Sequence, residues 1–401
     1  MPRLPQAGIV GKPNVGKSTF FSAATLVDVK IAPYPFTTID SNRGIGYVRV
    51  PCVCKELGVK DNPRNSMCID GNRFIPVELI DVAGLVPDAW KGRGLGNRFL
   101  DELRRADVLI HIVDASGSTD FEGRPVKPGD HDPLEDVKFL EREIDMWFYS
   151  IVKRGWRHIS RVTSPDLASH IAEKLSGLGV KREHVELALK HSDLSRKKIH
   201  TWNDDDILTF VSELRKLSKP MIIAANKADL EEAKYNISRM QKELKDYIVV
   251  PVSAEAELAL RKAAKANYIK YLPGDSDFKM LNIDKLTKRQ IRALEYIRGR
   301  VLKVWGSTGV QRVINEAFLN VLGMIVVFPV EDENKFTDHK GNVLPDALLV
   351  PSNTKPRDLA YMIHTDLGKG FIAALDVRTK MRIPSNEPLQ HRTVVKIYAR
   401  K

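Results

Sequence analysis

The chain has 401 residues, 43% apolar and 28% charged, with a formal net charge of +12. This is the composition of a soluble globular protein with room for two or three domains. No apolar run reaches the ~20 residues of a membrane span, and the amino-terminal MPRLPQAGIVG lacks the apolar core of a signal peptide. A cytoplasmic protein without membrane association is therefore expected. The basic balance favours an anionic partner, RNA foremost, over a merely basic surface.

The short apolar run Ala7 to Val10 reads as a buried strand. It leads into Gly11, Lys12, Pro13, Asn14, Val15, Gly16, Lys17 and Ser18, followed by Thr19, which fits G-x-x-x-x-G-K-[ST]. Apolar residues resume at Phe20, Phe21, Ala23 and Ala24 as a helix would place them. Strand, glycine loop and helix together make a phosphate cradle. The glycines let successive N–H groups turn inward, and the helix start adds its positive dipole end. Lys17 supplies a point charge for the outer phosphates, and Ser18 a hydroxyl for Mg²⁺.

Next comes IAPYPFTTID, a proline- and threonine-bearing loop. A threonine there suits a switch that reaches Mg²⁺ when the terminal phosphate is present. Thr38 is the first choice and Thr37 the alternative. GIGYVRV, from Gly44, alternates like a strand. The excursion 51–73 carries all three cysteines, Cys52, Cys54 and Cys68. C-x-C followed by a third Cys could supply most of a zinc site, with Asp61 or Asp70 able to complete it. No fourth Cys or His stands nearby, so bare thiols are the expectation and a metal the alternative.

FIPVELIDVAGL reads as a strand ending in Asp81-Val-Ala-Gly84, where the carboxylate holds the Mg²⁺ water shell and Gly84 senses the terminal phosphate. Leu85 stands where Ras-type GTPases place a water-orienting Gln, so hydrolysis must use another group. Gly92, Gly94 and Gly96 open a segment expected to be mobile. Ala106 to Ser116 is a further buried strand, and the polar stretch 117–131 reads as a linker.

Helical spacing then runs from Leu134 through Val137, Leu140, Ile144 and Trp147, with further helices to about Leu217. Within this insertion KRGWRHISR, with Trp156, suits RNA by charge and stacking as well as it suits a solvated helix end. KPMIIAAN is again a buried strand, ending in Asn226-Lys227-Ala-Asp229. The Asp229 carboxylate can accept two hydrogen bonds from guanine, and adenine offers no such pair. A last strand ends in Ser253-Ala254-Glu255, whose backbone N–H can reach the guanine oxygen. The basic stretch from Lys285 to Lys303 is a helix that faces either RNA or water. From Gly323 a short mixed unit reads as a small α+β domain.

GKPNVGKS, the threonine loop, DVAG, NKAD and SAE stand in the order found in translation-factor-class GTPases. YPFTTI and KGRGLGNRFL resemble the Obg family, and the helical insertion with the small C-terminal domain is similar to its YchF-like branch. The tail resembles a TGS domain, a ubiquitin-like β-grasp module. The resemblance implies an α/β P-loop NTPase with a doubly wound sheet and a helical insertion, plus a C-terminal α+β β-grasp domain. Boundaries are expected at 1–120 and 219–322 for the nucleotide domain, 121–218 for the insertion and 323–401 for the TGS domain.

The expected function is Mg²⁺-dependent hydrolysis of GTP in a switch acting on ribosome or RNA. Lys17, Thr38 and Gly84 carry the chemistry; Ser18, Thr38 and Asp81 hold the metal. Gly11 to Thr19, Asp81, Gly84, Asn226, Lys227, Asp229, Ser253 and Ala254 bind the nucleotide. The resemblance also implies K⁺ as a stand-in charge beside Asn14, and a hydrophobic residue in place of the Ras-type Gln, which Leu85 matches. Many YchF-like proteins have lost N-K-x-D and use ATP, so its retention here leads to an expected guanine preference. The rivals are an ATPase of the same fold and an RNA- or ribosome-binding protein whose nucleotide site is only a latch. A histidine after the Ala106–Ser116 strand is suspected of catalysis in bacterial relatives; only His131 lies in that region, and no role is assigned to it. The oligomeric state is left open.

Overall fold

A computed structural model of the chain describes residues 3–26, 42–82, 84, 90, 102–161 and 167–400. In chain order it opens with β1 (Gln6–Val10), α1 (Lys17–Thr25), β2 (Arg43–Pro51), α2 (Cys54–Leu57), β3 (Met67–Ile69), β4 (Asn72–Asp81) and β5 (Val108–Asp114). Four helices follow: α3 (Pro133–Ile159), α4 (Leu167–Lys174), α5 (Arg182–His191) and α6 (Asp204–Ser218). Then come β6 (Met221–Asn226), α7 (Glu231–Glu243), β7 (Val249–Pro251), α8 (Ala254–Lys265), β8 (Ile269–Lys270), β9 (Lys279–Met280) and α9 (Lys288–Ile297). The C-terminal strands are β10 (Met324–Val330), β11 (Leu348–Pro351), β12 (Phe371–Asp376), β13 (Met381–Ile383) and β14 (Thr393–Ala399). Two compact units result: one of Gln6–Leu26 with Leu79–Val313, the other of Met1–Pro5, Val27–Glu78 and Ile314–Lys401.

In the first unit β1, β5, β6 and β7 pair in parallel in that order. Every residue of these four strands is buried, which is why they read as unbroken apolar runs. The carboxyl end of β4 closes on the opposite side of β1 from β5, where the Val82 N–H donates to the Ile9 carbonyl at 3.1 Å. The chain therefore changes direction around the carboxyl end of β1, the place where open α/β sheets bind ligands.

The insertion is helical, as its periodicity predicts. Asp132 caps α3 by accepting from the Leu134 N–H at 3.0 Å, with Pro133 in the first turn. Asn203 and Asp206 cap α6 reciprocally. One basic side chain of the insertion is internal: Arg215 is buried and ion-paired with Asp145 at 2.8 Å and Glu141 at 3.2 Å. Trp156 packs inward against Trp202, ring centres 5.8 Å apart, and joins the apolar core of the insertion. Its aromatic signal is therefore packing.

The stretch 117–131, expected as a linker, is an ordered loop. It carries an antiparallel bridge between Thr119 and Pro125, and it turns on glycines with positive φ. Polarity alone misleads here, because the loop satisfies its own main chain and that of its neighbours.

In the second unit β2, β4 and the β3–β4 hairpin lead one sheet edge. A five-stranded sheet runs β11-β10-β14-β12-β13, with β10 and β14 parallel and its other pairs antiparallel. The helix Pro356–Ile363 lays Leu359 onto its core of Val327, Val350, Ala374 and Val395. This is the β-grasp arrangement. Among the described residues no helix is long and apolar enough to cross a membrane.

Candidate nucleotide site

The loop after β1 depends on two glycines. Gly11 has φ +148° and a Cβ there would stand 2.5 Å from the Ile112 carbonyl oxygen. Gly16 has φ +97° and its Cβ would meet the Asn226 amide nitrogen at 2.3 Å. Neither place admits a side chain. Helix α1 starts at Lys17 with no side-chain cap, so its first N–H groups face the loop's interior, as an anion site requires.

Lys17 is buried and donates to the Lys12 carbonyl at 2.7 Å. Burial pushes its pKa down to about 8, against the pull of Asp81. The Ser18 hydroxyl donates to Asp81 Oδ2 at 3.2 Å. Burial also raises the Asp81 pKa, with Lys17 and Ser18 opposing. A Cβ on Gly84 would lie 3.5 Å from Lys17 Nζ, so the DVAG turn borders the lysine. Lysine, hydroxyl, carboxylate and glycine, which sequence assigned to one task, are thus brought together.

Lys12 behaves differently from its loop neighbours. Its ammonium is buried and donates to the Thr119 carbonyl at 3.0 Å and to Asp136 Oδ1 at 2.9 Å. His131 Nε2 lies 2.7 Å from the same Asp136 oxygen. The side chain of Lys12 is therefore committed to the first turn of α3, and its main chain alone lines the loop. Asn14, at φ 61°, donates to the Gly123 carbonyl at 2.9 Å.

The base box is tied to this loop through one side chain. Asn226 Nδ2 donates to the Val15 carbonyl at 2.8 Å, while its Oδ1 accepts from the Ala254 N–H at 3.1 Å. Asp229 Oδ1 accepts from the Ser253 hydroxyl at 2.8 Å, which aims the carboxylate. Lys227, at φ 62°, reaches Asp114 Oδ2 at 2.9 Å.

Two acids that sequence reasoning passed over prove to be hubs. Asp114 is fully buried and accepts from Ser116, Ser118, Thr119 and Lys227. Burial alone would raise its pKa, but these donors hold it below the usual range. Glu257, also fully buried, accepts from Arg261, Tyr271 and Thr308. Thr308 in turn accepts the Ser253 N–H at 2.9 Å through its carbonyl. The run Asp114-x-Ser116-x-Ser118-Thr119 at a strand end was the available signal for the first; nothing local marks the second. Thr37, Thr38, Leu85 and Gly92 to Gly96 lie outside the described residues.

A phosphate loop at the switch of a parallel sheet, with a base box at the ends of β6 and β7, defines a P-loop NTPase domain of the GTPase type. It carries a helical insertion and a β-grasp module. Residues 6–146 match the family described as 50S ribosome-binding GTPase, 224–332 the G4 motif-containing domain of YGR210-like Obg-like GTPases, and 336–399 the TGS domain. The chain is 53% identical to an uncharacterized GTP-binding protein of Methanocaldococcus jannaschii, over 97% of this chain and 98% of that one. It is 32% identical to the ribosome-binding ATPase YchF of Mycoplasma pneumoniae, over 69% of this chain and 74% of the other. The crystal structure of a GTP-binding protein from Pyrococcus horikoshii superposes with a TM-score of 0.78 at 43% identity, covering 98% of this chain and 99% of that one. The chain belongs to the YchF/Obg-like family of P-loop GTPases.

Proposed function

We propose that this protein binds GTP and hydrolyses it to GDP and phosphate with Mg²⁺, as a nucleotide-dependent switch acting on the ribosome or RNA. One observation carries the guanine assignment. Asn226 joins the phosphate loop to the Ser253–Ala254 turn, and Ser253 orients Asp229, so base and phosphate sites have a fixed relation. A carboxylate so aimed accepts from N1–H and the 2-amino group of guanine, and adenine would leave it unpaired.

The donor set fits a nucleotide with a hard cation. Ser18 and Asp81 offer oxygen ligands 3.2 Å apart. With the Thr38 hydroxyl they would hold Mg²⁺, which on binding neutralises charge on the outer phosphates. Lys17 leaves the Lys12 carbonyl for the β- and γ-phosphate oxygens. The loop N–H groups from Asn14 to Thr19 receive the rest of the negative charge. Water attacks the γ-phosphorus, the bond to the bridging oxygen breaks, the electron pair moves onto that oxygen beside Lys17, and the proton that the water loses leaves with the phosphate or to solvent. Gly84 reports the γ-phosphate through the DVAG turn. With Leu85 in place of Gln, intrinsic turnover is slow. The K⁺ expectation at Asn14 stands with this reading, and equal turnover in K⁺ and Na⁺ removes it.

Competition of GTP and ATP for the purified protein tests the base assignment. GTP should win by at least about 100-fold, the discrimination of a site built to pair with a polar edge. Equal affinities overturn it, and Asp229→Ala should narrow the gap. Lys17→Ala should abolish turnover. The ATPase reading is supported by the names of several relatives, the Mycoplasma pneumoniae protein among them.

The ribosome or RNA partner rests on the ribosome-binding description of the family that residues 6–146 match, on the names of the YchF relatives, and on α9. Lys288, Arg289 and Arg292 are exposed there, and none makes an ion pair among the described residues. Arg289→Glu with Arg292→Glu should weaken retention on ribosomes, and unchanged retention discards this face. The sequence boundaries, 1–120 with 219–322, 121–218 and 323–401, are part of the same proposal.

A further inference from the structure

The excursion between β2 and β4 takes no part in the nucleotide chemistry, yet it concentrates reactive side chains. One ligand atom each from Cys52, Cys54, Asp61 and Cys68 lies within 4.8 Å of all the others. The Cys54 and Cys68 sulfurs are 3.8 Å apart, and the Cys52 sulfur is 3.3 Å from Asp61 Oδ2. A tetrahedron about Zn²⁺, with Zn–S near 2.3 Å and Zn–O near 2.0 Å, has edges of about 3.8 Å between sulfurs and about 3.5 Å from sulfur to oxygen. The two shortest spacings match those edges, and the other pairs lie within 4.8 Å, close enough for an ion to draw the four donors onto it. The sulfur–sulfur distance is far from the ~2.05 Å of a disulfide.

Local folding explains why four separated residues meet. The Cys52 N–H donates to the Gly71 carbonyl at 2.9 Å, which holds the end of β2 beside the hairpin turn. Cys54 opens α2, and Gly58 in the left-handed conformation ends it and turns the chain back. The Val59 N–H then donates to the Cys54 carbonyl at 3.0 Å. On the hairpin, Cys68 stands directly across from Arg73. Both Cys52 and Cys54 are buried. Asp61 completes the group; Asp70, the other acid that sequence offered, sits in the hairpin turn and is not among the four.

Arg73 supplies an independent observation. It is fully buried, and its Nη2 donates to Asp61 Oδ2 at 2.9 Å. Its two Nη groups also donate to the Leu344 carbonyl at 3.2 and 3.1 Å, and the guanidinium lies 5.3 Å from the Phe328 ring centre. Three thiolates and a carboxylate around Zn²⁺ leave a net charge of −2, and a buried guanidinium beside the carboxylate offsets part of it. Such a partner also orients the ligand it touches.

We propose that Cys52, Cys54, Asp61 and Cys68 bind a structural Zn²⁺ ion. All four positions are protein donors, so the site has no open position for a substrate. Through Arg73 the ion fixes the cysteine excursion to the β10 strand and the 344 turn of the β-grasp module, all within one compact unit.

Elemental analysis of the full chain, expressed with zinc supplied, should give about one zinc per chain. After removal of the metal, titration with Co²⁺ should produce the intense visible bands of a tetrahedral thiolate complex. Cys68→Ser and Asp61→Ala should lower Co²⁺ affinity at least tenfold, Arg73→Lys by about tenfold, and Asp70→Asn should leave it unchanged. A wild-type chain that carries no zinc and gives no Co²⁺ spectrum overturns the proposal, as does a mapped Cys54–Cys68 disulfide. Should Cys68→Ser fail to fold, the wild-type titration still decides.

Discussion

Lys17 sits where its charge is disfavoured until an anion arrives. Its pKa in the free protein is about 8, lowered by burial from 10.5. A bound triphosphate raises it again, so binding above that pH must take up a proton. GTP affinity should be flat from pH 7 to about 8, then fall by up to tenfold per pH unit. Calorimetric titration in buffers of different ionisation heat checks both slope and proton uptake. A flat profile to pH 9 removes Lys17 from phosphate contact. Asp114 makes a second residue-scale case. Asp114→Ala leaves Lys227 and three hydroxyls without their shared acceptor, and it should cost about 3 kcal/mol in a denaturant titration. Lys17 and Asn226 were legible because loop and base box are local strings of fixed spacing. Asp114 was legible in part, since three of its donors stand within five residues of it, but its fourth, Lys227, is 113 positions away. Glu257 was not, because Tyr271 and Thr308 come from 14 and 51 positions away and a lone acid in a helix has no periodicity to betray them.

Among the elements, the insertion shows how a cationic and aromatic string misleads. Arg154, Arg157 and Arg161 are exposed, but Trp156 faces Trp202 across the insertion core. Trp156→Ala should lower stability by about 2 kcal/mol, less than a fully buried Trp because it is only half-buried. It should leave nucleic-acid retention unchanged, which a melting curve and a ribosome co-sedimentation would separate. Helix existence was readable along this stretch, because 3.6-residue spacing repeats over several turns. The order of the loop 117–131 was not, because polar, Gly- and Pro-rich composition reads the same in a linker and in a loop that closes on its own main chain and is held by Lys12 and Asn14 of the phosphate loop.

At the scale of the whole molecule, His111 sets an acid limit. It lies in the middle of β5, fully buried, and burial lowers its pKa to about 4. The unfolded chain takes up its proton near pH 6.5, so the contribution of this residue to stability is complete above that pH and is lost as pH falls toward 4. The loss amounts to about 3 kcal/mol. Urea unfolding at pH 7 and pH 4.5 should show it in the wild type, and His111→Leu should remove most of that difference. The nucleotide fold as a whole was readable because its boxes come in a fixed order along alternating strands and helices. The β-grasp module was readable from the texture of its tail.

The ion pair of Lys12 with Asp136 has a mechanical meaning. The second residue of the phosphate cradle is bolted to the base of a 27-residue rod. A displacement of the cradle would act on the near end of that rod, through the Lys12–Asp136 pair.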